Sequence, residues 1–197
     1  MTIRLQILFL LIPIMGNAQN LIRCNDSISY FVNQNENFYC SIKLKGKVSM
    51  TSLNKVIFFD SQSLQALLIE EKYYLLNGKE DTAILKNYII SESNFYAKSF
   101  KEDIKTMMIP VEISEYKKAL IWYFDIPENI IKQGNPRPIY GIKQVFISVI
   151  VDNYIYSIAT TQFNNQNLDT ILKLLTNLTR TINYHKGDFQ PKIFCDN

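Results

Sequence analysis

The amino-acid sequence predicts an α+β fold: one domain, an antiparallel sheet covered by helices on both faces, an α/β/α sandwich. Three observations predict it. Residues 143–161 hold two apolar runs around Asp152-Asn153, a two-residue turn suited to antiparallel strands. The first run, Val145-Phe146-Ile147-Ser148-Val149-Ile150-Val151, is apolar at odd and even positions alike. A strand of that kind needs cover on both sides of its sheet. Two other segments, 82–98 and 168–182, repeat apolar residues at three-and-four spacing, as helices packed by one face do.

Residues 1–18 read as a signal peptide. Arg4 supplies a positive n-region, Leu5–Met15 an apolar run, and Gly16-Asn17-Ala18 the small residues before a cut at Gln19. The run is too short to span a bilayer, which needs about twenty residues, and Pro13 interrupts it. The expected product is exported, periplasmic or secreted, with no stable membrane span after cleavage. Arg23 before Cys24 does not fit a lipoprotein box. The short cleavage region and the Gln-Asn start resemble exported proteins of Gram-negative bacteria. Residues 19–197 are expected to form a single globular domain, with 184–197 a loosely ordered tail.

Along that domain, 28–33 and 38–45 read as strands joined by a polar turn at Asn33–Asn37. Lys43 and Lys45 alternate with Ile42 and Leu44, so a wet face opposes a buried one; with Lys47 they read as a solvated stripe. Lys55–Phe59 is a short apolar run closed by Asp60. Gln65–Leu76 is ambiguous: Leu64, Leu67 and Leu68 keep helical spacing, but Tyr73–Leu76 suits a strand, and Asn77-Gly78 stops either. Asp81 suits a helix N-cap, with Ile84, Leu85, Tyr88, Ile89, Phe95 and Tyr96 as the apolar stripe of the helix after it. Strands are expected at 106–113, with Met107-Met108 as core filler, at 119–126, at 143–151 and at 154–161. Asn167 caps a final helix whose face is Leu168, Ile171, Leu172, Leu175, Leu178 and Ile182. Asp169 and Arg180 stand at the ends its dipole favours.

The three cysteines, Cys24, Cys40 and Cys195, leave at least one thiol unpaired in a monomer. Cys24 and Cys40 are the candidate disulfide if they flank adjacent strands; Cys195 could reach back and pair, or stay free. No C-x-x-C spacing is present, so no metal site is expected. The chain lacks G-x-S-x-G, H-E-x-x-H, G-x-x-x-x-G-K-[ST] and G-x-G-x-x-G, and no catalytic residue or cofactor is expected. His185, the single histidine, reads as a solvated tail residue. Glu70-Glu71 and Glu102-Asp103 are sequence neighbours rather than facing acid/base couples. A formal net charge of +3, to which Arg4 contributes one, gives no nucleic-acid signature.

The longest irregular stretch is Pro127–Gly141. It exceeds the usual connection between neighbouring strands, and Arg137 and Tyr140 are its candidate binding residues, of the types enriched at hot spots. Ala-Leu-Ile-Trp-Tyr-Phe at 119–124, the hairpin 145–161 and the leucine-rich helix after it together resemble the PsbP-like group. That resemblance implies an α/β/α sandwich and an extracytoplasmic accessory role without a catalytic site. The functional expectation is an exported, non-catalytic binding or accessory module whose partner is an unknown protein, lipid or small molecule. The alternative is a hydrolase with dispersed carboxylates in a cleft.

Overall fold

The computed structural model describes residues 18–35, 37–50, 56–75, 80–114, 117–132 and 138–195. The apolar leader, the Asn77-Gly78 stop and Arg137 lie outside them. Strands β1 (Ala18–Arg23), β2 (Ile28–Gln34) and β3 (Phe38–Lys45) form a meander. β4 (Val48–Met50), β5 (Ile57–Phe59) and β6 (Gln62–Glu70) form a second. A 3-10 turn at Glu71–Tyr74 precedes helix α1 (Asp81–Phe100). β7 (Met107–Ser114), β8 (Lys117–Asp125), the short helix α2 (Glu128–Lys132), β9 (Gly141–Val151) and β10 (Tyr154–Phe163) follow. Helix α3 (Leu168–Arg180) and β11 (Asn183–Lys186) come next, then a 3-10 turn at Pro191–Phe194.

The eleven described strands build two antiparallel sheets, one of order β1-β2-β3-β11 and one of order β4-β5-β6-β10-β9-β8-β7. This corrects the expected architecture. The large sheet has α1 on one face only. Its other face is covered by the four-stranded sheet with α3 beside it, so the fold is mostly β and is not a helix-covered sandwich.

Packing shows why. On the α1 face, Ile84, Leu85, Tyr88 and Ile89 meet Trp122, Phe124, Phe146 and Ile155. On the opposite face, Phe31, Phe38, Cys40, Ile42 and Leu44 of the small sheet meet Leu64, Ile121, Ile147, Tyr156 and Ile158, with Ile171, Leu175 and Leu178 of α3. The N-terminal strands carry their own apolar face, which can be buried against a sheet as well as within one.

β9 runs between β8 and β10, with Val145, Phe146, Ile147 and Val149 buried and Ile150 half-buried. Its residues alternate between the two cores, as the doubly apolar run requires. At the hairpin after it, Asp152 takes φ 56°. α1 starts one residue earlier than expected: Glu80 is the N-cap and makes no side-chain cap bond. Phe95 points to solvent, 39% exposed, rather than into the stripe. At α3 the cap is as expected, with the Asp169 N–H donating to Asn167 Oδ1 at 2.7 Å.

Residues 184–195 of the segment read as a loose tail are structured. β11 pairs with β3, placing His185 opposite Tyr39. The chain then crosses the outer face of the small sheet, and Cys195 bonds Cys24. The Cys24–Cys40 pairing is thereby corrected. Cys40 faces the inner core as a free, buried thiol, whereas Cys24 packs with the outer cluster. Alternation along the meander separates the two sulfurs by a sheet.

Candidate functional site

Tyr140, one of the two residues singled out in the long loop, lies just before β9, and the structure shows what holds it. Asn164, in the turn between β10 and α3, clamps the loop with three hydrogen bonds. Its backbone N–H donates to Tyr140 O at 2.9 Å. Its Oδ1 accepts from the Tyr140 N–H at 3.3 Å. Its Nδ2 donates to Pro138 O at 3.2 Å. An asparagine side chain carries both a donor and an acceptor, so one residue satisfies two backbone groups that belong to no ladder.

The turn carrying Asn164 is itself braced. The Phe163 N–H donates to Gln166 Oε1 and the Gln166 N–H to Phe163 O, at 2.9 and 3.0 Å. Gln166 Nε2 donates to Gln62 Oε1 at 2.8 Å, and Gln62 Nε2 donates to Thr160 Oγ1 and Thr161 O. Thr160 is fully buried and donates to Ser63 O at 2.6 Å. A polar chain thus runs from the loop into the space between the sheets. At the loop's other end the Ile126 N–H donates to Ile142 O at 2.9 Å, closing the neck. Gly141 enters β9 so close to β10 that a Cβ there would meet Thr161 Cγ2 at 2.6 Å.

This clamp presents Ile139, 51% exposed, and Tyr140, 42% exposed, side by side on fixed backbone. Sequence reasoning found Tyr140 but missed Ile139 and Asn164. The polar run Asn164–Asn167 carried a signal, because asparagine in a turn is suited to bonding nearby backbone. Which backbone it would bond could not be read from the chain.

The other singled-out groups are placed as follows. His185 is not a free tail residue: its ring stacks on Tyr39 at 4.6 Å, and burial pulls its pKa below the usual imidazole value. Glu102 and Asp103 line a shallow, open depression with Asn94, Lys98 and Lys101. Glu70 pairs with Lys72. Burial first, then Asp81 and Asp152, push the Glu71 carboxyl upward. Lys43 lies 5.7 Å over the Tyr30 ring, with Lys45 and Lys47 exposed.

One carboxyl went unnoticed in the sequence. Glu92, a turn along α1 from Tyr88 and from Tyr96, is pushed up to about 7 by burial. Burial first, and then the charge of Glu92, raise Tyr74, Tyr88 and Tyr96. A carboxyl with that pKa can hold or release a proton at neutral pH, yet an acid/base couple needs a second group facing the same reacting atom. Tyrosines surround this one.

Among the described residues no group of metal-binding side chains is gathered, and no helix is long and apolar enough to cross a membrane. The fold and site define a β-rich, two-sheet domain closed by a disulfide and carrying a braced pair of exposed apolar side chains, Ile139 and Tyr140, before β9. No family model, curated protein or solved structure matches the chain.

Proposed function

We propose that the protein is an exported, non-catalytic binding module that uses residues 138–140, where the 127–141 loop enters β9, to engage a protein, lipid or small-molecule partner. The observation that carries this reading is the Asn164 clamp, which holds Ile139 and Tyr140 in solvent on fixed backbone. Exposed apolar side chains on a mobile loop lose ordering entropy when they bind; on a braced loop that cost is already met by the fold. A disulfide between Cys24 and Cys195 suits an oxidising compartment and supports export. The PsbP-like resemblance of 119–183 supports an accessory role through its order of strands and final helix, not through its layers.

The test is site-specific photo-crosslinking in cells exporting the protein. A benzophenone amino acid replaces Tyr140 in one protein and Lys98, an exposed residue of α1, in another. The expected result is a discrete adduct at position 140, of protein or small-molecule mass, that is absent at position 98. No adduct at 140, or the same adducts at both positions, would remove the loop from any binding role.

A further inference from the structure

The segment after β11 covers the outer face of the small sheet by means unlike those used elsewhere in the fold. Phe189 and Phe194 lie over Tyr39, with ring centroids at 5.4 and 5.8 Å, and Phe194 reaches Tyr30 at 5.0 Å. The Gly187 N–H donates to Asn37 O at 2.8 Å. Beyond it, the backbone hydrogen bonds of 188–195 run within the segment itself, from Ile193 to Gln190 and from Cys195 to Lys192. Two phenyl rings and one S–S bond therefore do what a ladder does for each strand.

Three further features mark this cover as removable. Ser41, two residues along β3 from Tyr39, shares the outer face by alternation, and its hydroxyl is buried with no hydrogen-bond partner. An unpaired buried hydroxyl is a cost of closure that vanishes when water returns. Gly187 sits at φ 99° with open space where a Cβ would stand, so the chain can turn there freely. Cys195 is exposed and Cys24 half-buried, which leaves the bond open to an attacking thiolate.

We propose that residues 187–195 are a redox-latched strap. A dithiol reductant opens Cys24–Cys195, the strap swings out about Gly187, and the aromatic outer face of the small sheet is uncovered while the two-sheet core stays folded. In the chemical step a reductant thiolate attacks Cys195 Sγ. The S–S bond breaks with its electron pair on Cys24 Sγ, which takes up a proton. The second reductant thiol then displaces Cys195 as a thiol. Two electrons pass to the protein and the reductant leaves as its own disulfide. The core survives because the clusters on both faces of the large sheet contain none of the strap's side chains.

The test uses the wild-type chain, oxidised or reduced with dithiothreitol and capped with iodoacetamide. Tryptic cleavage after Lys192 and hydrogen exchange of the β3 amides are then followed. Reduction is expected to speed cleavage after Lys192 about tenfold or more, as local opening replaces a covalent closure, with β3 protection unchanged. A Cys195→Ser protein should cleave at the fast rate without reductant. An unchanged cleavage rate after reduction would mean that the phenyl rings alone hold the strap. Loss of β3 protection along with the strap would mean that the bond holds the domain rather than a latch. Either result overturns the proposal.

Discussion

A single asparagine, Asn164, holds the backbone of Pro138 and Tyr140, and a single glutamate, Glu92, gives the helix layer its pH dependence. Burial raises the Glu92 carboxyl to about 7, against an ordinary value near 4.5 in the unfolded chain. Between those values the folded protein holds a proton that the unfolded chain has lost, so stability falls as pH rises through that window. Above it the buried charge imposes its full cost, about 2 kcal/mol once partial exposure is allowed for. Glu92→Gln is therefore expected to match wild type below pH 4.5 and to exceed it by about that amount at pH 8. Urea denaturation of both proteins at pH 4.5 and 8 checks this; parallel pH curves would show that the carboxyl is better solvated than its position implies. The sequence signalled a turn at Asn164 but not the backbone it holds, and it gave no sign of Glu92. Glu92 looks like any helix-surface acid, and Tyr74, one of the tyrosines its charge acts on, comes from the separate turn at 71–74.

At the scale of elements, the strongest sequence signals were the ones a single element can carry alone. β9 announced its two cores through its own residues, and α3 announced its buried face and its cap. Phe146 shows the consequence. It stacks on Trp122 at 3.8 Å with the rings 4° from parallel, and the indole N–H donates to Ser148 Oγ at 3.1 Å. Phe146→Ala is expected to lower unfolding stability by about 3–5 kcal/mol, the usual cost of emptying a packed aromatic site. Half-buried Ile150→Ala should cost clearly less. Denaturant titration of both variants checks the order, and an Ile150 cost equal to or above that of Phe146 would contradict the packing. β6 stayed ambiguous between helix and strand in the sequence for a related reason. Leu64 and Leu68 face one core while Leu67 and Ile69 lie towards the other. A strand apolar on both faces can match helical spacing by accident. β1, β4 and β11 are short strands defined by their pairing partners more than by their own pattern.

At the scale of the whole molecule, the two-sheet architecture was the least legible feature. The meander 18–45 has the alternation of a half-buried antiparallel strand set. Nothing in that pattern distinguishes strands added to the large sheet from strands stacked upon it. The choice is made by long-range contacts: Asn33 Nδ2 donating to Ala66 O at 3.1 Å, and Tyr156 Oη donating to Asn33 Oδ1 at 2.8 Å, tie the sheets across the core. The same long range hid the disulfide, whose cysteines are 171 residues apart. It closes the first strand's end onto the last described segment, and burial pushes the remaining thiol, Cys40, up to about 12.

The central claim, an exported domain closed end to end with one thiol sealed inside, is tested most directly by disulfide mapping of the exported protein. Alkylation of the native protein, digestion without reduction and cleavage after Glu36 to separate Cys24 from Cys40 make the mass spectrum unambiguous. The expected map begins at Gln19, links Cys24 to Cys195, and leaves Cys40 unlinked and alkylated only after denaturation. A Cys24–Cys40 link, a Cys40 thiol that reacts in the native protein, or retention of residues 1–18 would contradict it.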